Sequence, residues 1–166
     1  MYFPIDQMPD NSRIWIYQAN RKLTSREVQQ IASTLQVFCG QWAAHQVDLQ
    51  TSFSIDHGRF VVLAVNENVS SPSGCSIDSS VHVLKSLEQS IGIDFFGRSE
   101  IAFKEGNEAV TYPLQELKKL FGDGRLNENS LTFNTLAQNL GDWKNRGTVT
   151  AGNTWLKRYI PRIPVS

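Results

Sequence analysis

The sequence lacks most of what marks an exported, membrane-bound or metal-stapled protein. No apolar run approaches the roughly 18 residues that span a bilayer, so no membrane span is expected. The first six residues carry no basic segment followed by an apolar core, so a secretory leader is not expected either. Cysteine is scarce. Cys39 and Cys75 stand alone and form neither a CxxC pair nor a zinc-type cluster with His. Two isolated thiols without an export signal fit a reducing compartment, and the expected location is cytoplasmic. Nothing in the sequence calls for a metal or another cofactor.

An excess of one charge is missing too. Sixteen Lys and Arg balance sixteen Asp and Glu. A dedicated nucleic-acid binder usually shows a basic excess, so general nucleic-acid binding is not expected. The balance is uneven along the chain. Residues 1–83 hold five basic and seven acidic side chains, and the remainder holds eleven and nine. The last stretch, 143–166, carries Lys144, Arg146, Lys157, Arg158 and Arg162 without an acid. Such a stretch suits either an anionic partner or a plain solvated surface.

The common catalytic templates are absent as well. There is no GxxxxGK[ST] phosphate loop, no GxGxxG after a strand, no HExxH and no GxSxG elbow.

What is present is a globular pattern. With 166 residues, 40% of them hydrophobic, the chain can bury a sizeable core without staples. Residues 13–20 are rich in β-branched and aromatic types and read as a strand. Thr24 and Glu27 form a capping box. Val28, Ile31, Ala32, Leu35, Phe38, Cys39 and Trp42 then recur at helical spacing and predict a helix reaching about residue 45. Two strands, 49–56 and 59–66, flank a tight turn at His57-Gly58. After a polar loop, Ile77, Val81, Leu84, Leu87 and Ile91 predict a second helix that starts near Ser76 and ends at Gly92. Two more strands, 99–104 and 108–112, enclose a Gly106-Asn107 turn.

The expected fold is α+β: an antiparallel sheet with two helices in ferredoxin-like βαββαβ order, plus an irregular C-terminal extension. Residues 1–112 form the expected core domain. Residues 113–166 are expected to pack on it as one globular unit, with Pro113 opening a short helix, Asn153 capping a last turn, and Trp143 and Trp155 as anchors. Trp15, Tyr17, Phe53 and Phe60 lie on strands. They suit either the core or a stacking platform like those of sheet-based RNA binders.

The candidate site is the loop and helix start at 67–80. A helix beginning near Ser76 puts Cys75 beside unpaired N–H groups and the positive end of the helix dipole. That setting permits a nucleophilic thiolate or a held anion, with Ser73, Gly74, Ser76, Asp78, Ser79 and Trp42 as ligand-binding residues. It also permits an ordinary cap with a small buried Cys, and Asp78 opposes an anion. In the βαββαβ plan, the connection holding Trp42 and His45 lies at the same end as Cys75. His45 is therefore the candidate base, while His57 falls at the other end. His82 follows Asp78 by four residues on one helical face.

The segments Arg-Ile-Trp-Ile-Tyr-Gln-Ala-Asn-Arg-Lys-Leu-Thr, Phe-Cys-Gly-Gln-Trp-Ala-Ala-His, Gly-Cys-Ser-Ile-Asp-Ser-Ser-Val-His and Gly-Ile-Asp-Phe-Phe-Gly-Arg, with the Trp-Leu-Lys-Arg-Tyr ending, resemble a family of short bacterial proteins. The resemblance extends over nearly the whole chain. Members of that family are often labelled "ABC transporter ATPase". The resemblance implies a bacterial cytoplasmic origin and, through the label, an ATP-dependent transport component. It carries over no catalytic residues. Three expectations follow: a binding domain for a small anionic ligand or a protein partner, a thiol enzyme using Cys75 and His45, and a transporter-associated ATPase.

Overall fold

The computed structural model describes residues 1–162. The chain divides into two compact units, Met1–Gly97 with Thr135–Asn145, and Arg98–Asn134 with Arg146–Ser166. It is an α+β protein, and among the described residues no helix is long and apolar enough to cross a membrane.

In the first unit, β1 (Arg13–Gln18) leads to α1 (Ser25–Gln41). The Thr24–Glu27 capping box forms as expected, and Arg21 grips the Glu27 carboxylate with two bonds of 2.7 Å. Those contacts hold the Glu27 carboxyl at about 2, with the Arg21 bond the largest cause. α1 stops at Gln41, short of the expected residue 45. Residues Ala43–Ala44 (β2) and Val47–Asp48 (β3) make a small hairpin instead. His45 and Gln46, both at positive φ, form its turn. Positive φ at two central residues gives the twist a two-residue hairpin needs. β4 (Thr51–Asp56) and β5 (Phe60–Val65) follow, joined through His57, Gly58 and Arg59. α2 (Gly74–Ile91) ends at Gly92, whose φ of 77° suits a left-handed helix stop.

The sheet order is β1-β5-β4, antiparallel throughout. β5 sits between the two strands that α1 connects, which is the split β-α-β arrangement. Trp15, Leu63 and Phe53 stand in one row, and Tyr17, Val61 and Ile55 in the next. These rows face Ile31, Leu35 and Cys39 of α1 and Leu84 and Leu87 of α2 in one core. Trp15, Tyr17 and Phe53 are therefore packing residues. Phe60 points the other way, where the Trp143 ring meets it edge to face at 5.4 Å.

The fourth strand of the ferredoxin-like plan is not in this sheet. Its place on the β1 edge is taken by residues 138–140. The Ile14 N–H donates to the Gln138 carbonyl at 3.1 Å, and the Leu140 N–H donates to the Ser12 carbonyl at 2.9 Å. The segment read as the fourth strand is β6 (Glu100–Glu105), and it pairs in the second unit with β7 (Glu108–Pro113). Gly106 and Asn107 close that hairpin over two residues, with Gly106 at φ 63°. Pairing across so short a loop forms at far lower entropic cost than pairing with β1, more than eighty residues earlier.

The second unit has the strand order β7-β6-β8-β9, with β8 at Leu131–Phe133 and β9 at Thr148–Thr150. Its core joins Phe103 and Tyr112 to Leu117 and Phe121 of α3 (Leu117–Gly122) and to Leu156 of a terminal 3-10 helix, Trp155–Tyr159. Thr154, rather than Asn153, caps that last helix by accepting the Leu156 N–H.

The units therefore part at Gly97 and Arg98, and not at residue 112. The expected extension is itself divided. Trp143, on α4 (Leu140–Asn145), belongs to the first unit and donates its indole N–H to Asp56 Oδ2 at 2.7 Å. Trp155 is 45% exposed, and its ring meets Tyr159 edge to face within its own short helix. Trp143→Ala should cost about 3–5 kcal/mol in urea unfolding, as for other buried Trp and Phe truncations. Trp155→Ala should cost about 0.5 kcal/mol or less, as at surface positions. Equal losses would refute this division of roles.

Candidate functional site

The second helix begins at Gly74, two residues before Ser76. Ser73 is the N-cap: its Oγ accepts the Ser76 N–H at 3.2 Å. Ser76 answers from inside the first turn, where its Oγ accepts the Ser73 N–H at 2.7 Å and donates to the Ser73 carbonyl at 2.8 Å. This is a capping box with serine in the place usually held by Glu or Gln. Ser76 is therefore a buried structural residue. A capping box is ordinarily recognised by Glu or Gln at this position, and Ser76 does not carry that signal, so the earlier start was not legible.

Trp42 holds this start in place. It caps the C-terminal end of α1, is 2% exposed, and donates its indole N–H to the Ser76 carbonyl at 2.8 Å. Its ring lies against Phe38 at 5.0 Å and Trp15 at 5.9 Å. The end of α1 and the start of α2 therefore do meet at one end of the sheet. Trp42 serves there as a buried brace, with no free surface for a ligand.

The outward side of the first two turns is different. Gly74, Cys75, Asp78 and Ser79 are exposed, as is His82 one turn further on. The backbone N–H groups of Gly74 and Cys75 have no partner among the described residues. The Ser79 hydroxyl donates back to the Cys75 carbonyl at 3.0 Å. His45 is exposed on the β2–β3 turn. Among the described residues no hydrogen bond joins it to Cys75, and none joins His82 to Asp78. No group of three or more His, Cys, Asp or Glu among the described residues is placed to hold a metal ion.

Sequence reasoning missed three neighbours. The Arg13 guanidinium stacks 4.7 Å above the Trp15 ring and pairs with Glu67 at 3.4 Å. The register explains this: Arg13 sits opposite Val65, two residues before Glu67. The only available signal was the alternation along β1, which separates Arg13 from Trp15 by one full pleat and so puts them on the same side. The loop's first residues are fixed as well. Asn66 Nδ2 donates to Gln50 Oε1 at 3.0 Å, and the amides of Asn11 and Asn68 exchange bonds of 3.0 and 3.1 Å.

The two thiols differ sharply. Cys75 is exposed. Cys39 is fully buried on α1, and burial pushes its thiol up to about 12, opposed by the Thr51 hydroxyl and the Met1 ammonium. Burial also raises the Tyr17 phenol, with Ser80 acting against it. Iodoacetamide should label one thiol in the native protein and two after denaturation. Between about 9 and about 12 the folded chain keeps a Cys39 proton that the unfolded chain has lost. Stability should therefore fall as pH rises through that window. The urea midpoint should decline over it, and Cys39→Ala should flatten the decline to the part contributed by Tyr17 and by Tyr112, whose phenol is raised by its bond to Glu105. An unchanged slope in that variant would contradict the assignment. No family model, curated protein or solved structure matches the chain, so the functional reading rests on these residues.

Proposed function

We propose that the chain is a cytoplasmic, non-catalytic binding domain whose contact surface is residues 67–80, taking a small anionic ligand or a protein partner. One observation supports this most directly. Gly74 and Cys75 are exposed and their N–H groups have no partner among the described residues, on a helix start that Trp42, Ser73 and Ser76 brace. Such a start is a preorganised donor set for a compact anion, favoured further by the helix dipole. Asp78 stands one turn along and repels a larger anionic group, so the favoured occupant is small and singly engaged. The first unit reads as a three-stranded variant of the ferredoxin-like plan, with residues 138–140 in the position of the fourth strand.

Titration of the 15N-labelled protein with inorganic phosphate tests the anion reading. Saturable shifts of the Gly74 and Cys75 amides, larger in Asp78→Asn, are expected. Amides that stay still at tens of millimolar phosphate in both proteins would remove it.

The exposure of Cys75 supports a second reading, a thiol enzyme with Cys75 as nucleophile and His45 as base. Its alkylation rate should then be substantial near neutral pH and fall in His45→Ala. Reactivity that appears only above about pH 8, as for a free thiol, would count against it. The transporter-ATPase reading rests on the family resemblance alone, and an absence of nucleotide binding in calorimetry would dispose of it.

A further inference from the structure

The neutral chain is built from two units of opposite charge. The first unit holds seven basic and ten acidic residues, and the second holds nine and six. In the second unit, α3 and the terminal 3-10 helix, far apart in sequence, each carry a basic pair and pack against each other. Tyr159 of that helix stacks on Phe121 of α3, at 6.3 Å and 16°. Lys118 and Lys119 are exposed on α3, and Lys157 and Arg158 are exposed on the terminal helix. None of these four forms an ion pair among the described residues. Arg158 lies 6.0 Å from the Tyr159 ring centre. Beside them Trp155 meets Tyr159 edge to face, at 6.1 Å and 74°, and remains 45% exposed.

We propose that this face of the second unit binds single-stranded nucleic acid, with Trp155 stacking on a base and Lys118, Lys119, Lys157 and Arg158 meeting the phosphates. The combination decides the partner. Unpaired cations alone would suit any polyanion. An exposed indole supported by a ladder of rings adds a flat surface for a planar group, which an acidic peptide does not offer and a base does. Trp155 keeps 45% of its surface in water, open to a stacking partner. The neutrality of the whole chain does not oppose this, because within the second unit basic residues outnumber acidic ones by nine to six. The surface is separate from residues 67–80 and stands or falls independently of them.

The test is binding of a fluorescein-labelled 15-nucleotide oligo(dT) to the full chain, read by anisotropy and by quenching of tryptophan fluorescence over a salt series. Four phosphate contacts give an expected slope of log K against log salt of about −3. The double variant Lys118→Gln, Lys157→Gln should reduce that slope by about 1.4. Trp155→Ala should weaken binding roughly 5- to 100-fold and abolish most of the quenching, while Trp155→Phe retains much of the affinity. Trp155 is exposed, so loss of folding does not confound that variant, and circular dichroism checks it. No binding at 20 mM salt would overturn the proposal. So would equal binding of oligo(dT) and duplex DNA. A Trp155→Ala protein that binds like the wild type would do the same. Competition by polyglutamate or by phosphatidylserine vesicles as effective as unlabelled oligo(dT) would assign the face to an acidic protein or an anionic membrane, and would also overturn it.

Discussion

The bond from the Trp42 indole N–H to the Ser76 carbonyl is the contact on which the first unit's architecture turns. A buried indole N–H without an acceptor costs on the order of 1–3 kcal/mol, so the partner cannot be dispensed with. The acceptor belongs to the first turn of the next helix, thirty-four residues on. One bond thus ties the end of α1 to the start of α2 and fixes how both lie on the sheet. Trp42 also explains why α1 stops where it does. As the capping residue it has extended backbone, with φ −66° and ψ 121°, which turns its ring into the core. The chain beyond it forms a hairpin rather than a further helical turn. The same bond removes Trp42 from any ligand-facing role and makes the α2 start rigid.

The core half of the fold was legible because its signals are periodic. The apolar stripe of α1, the Thr24–Glu27 box, the continuous Phe60–Val65 run and the Gly92 stop each reflect local geometry, and each is realised. The fourth strand was misplaced for a different reason. Residues 99–104 read as a strand whichever sheet they join, and order along the chain does not choose between partners. The choice was made by the two-residue Gly106–Asn107 turn and by residues 131–133 and 148–150, short segments whose strand character is weak on their own. A strand of three residues carries too little alternation to be read as one.

The candidate site was legible in place but not in the roles of its members. Ser73 and Ser76, both read as ligand-binding, form the two sides of one capping box, because a serine can both accept and donate. Trp42 was read as part of a ligand surface, yet its position at an apolar step of the α1 stripe already favoured burial. Arg13 was missed because its contact depends on register between β1 and β5, which determines that Glu67 and the Trp15 face meet the same guanidinium. Register is set by the hydrophobic face and the turn together, and a single sequence states neither in full.

Net charge shows the same limit in another form. A sum over the chain averages regions that fold apart, and here the average is zero while the parts differ in sign. Electrostatic attraction acts over a Debye length of about 8 Å at physiological salt, far less than the extent of either unit. An anion near α3 and the terminal helix therefore responds to Lys118, Lys119, Lys157 and Arg158, and hardly at all to acids more than one screening length away. A composition-level argument against polyanion binding holds only when the charges are mixed on that scale. In the second unit α3 and the terminal helix, segments almost forty residues apart, meet through the Phe121–Tyr159 stack, and each carries a basic pair.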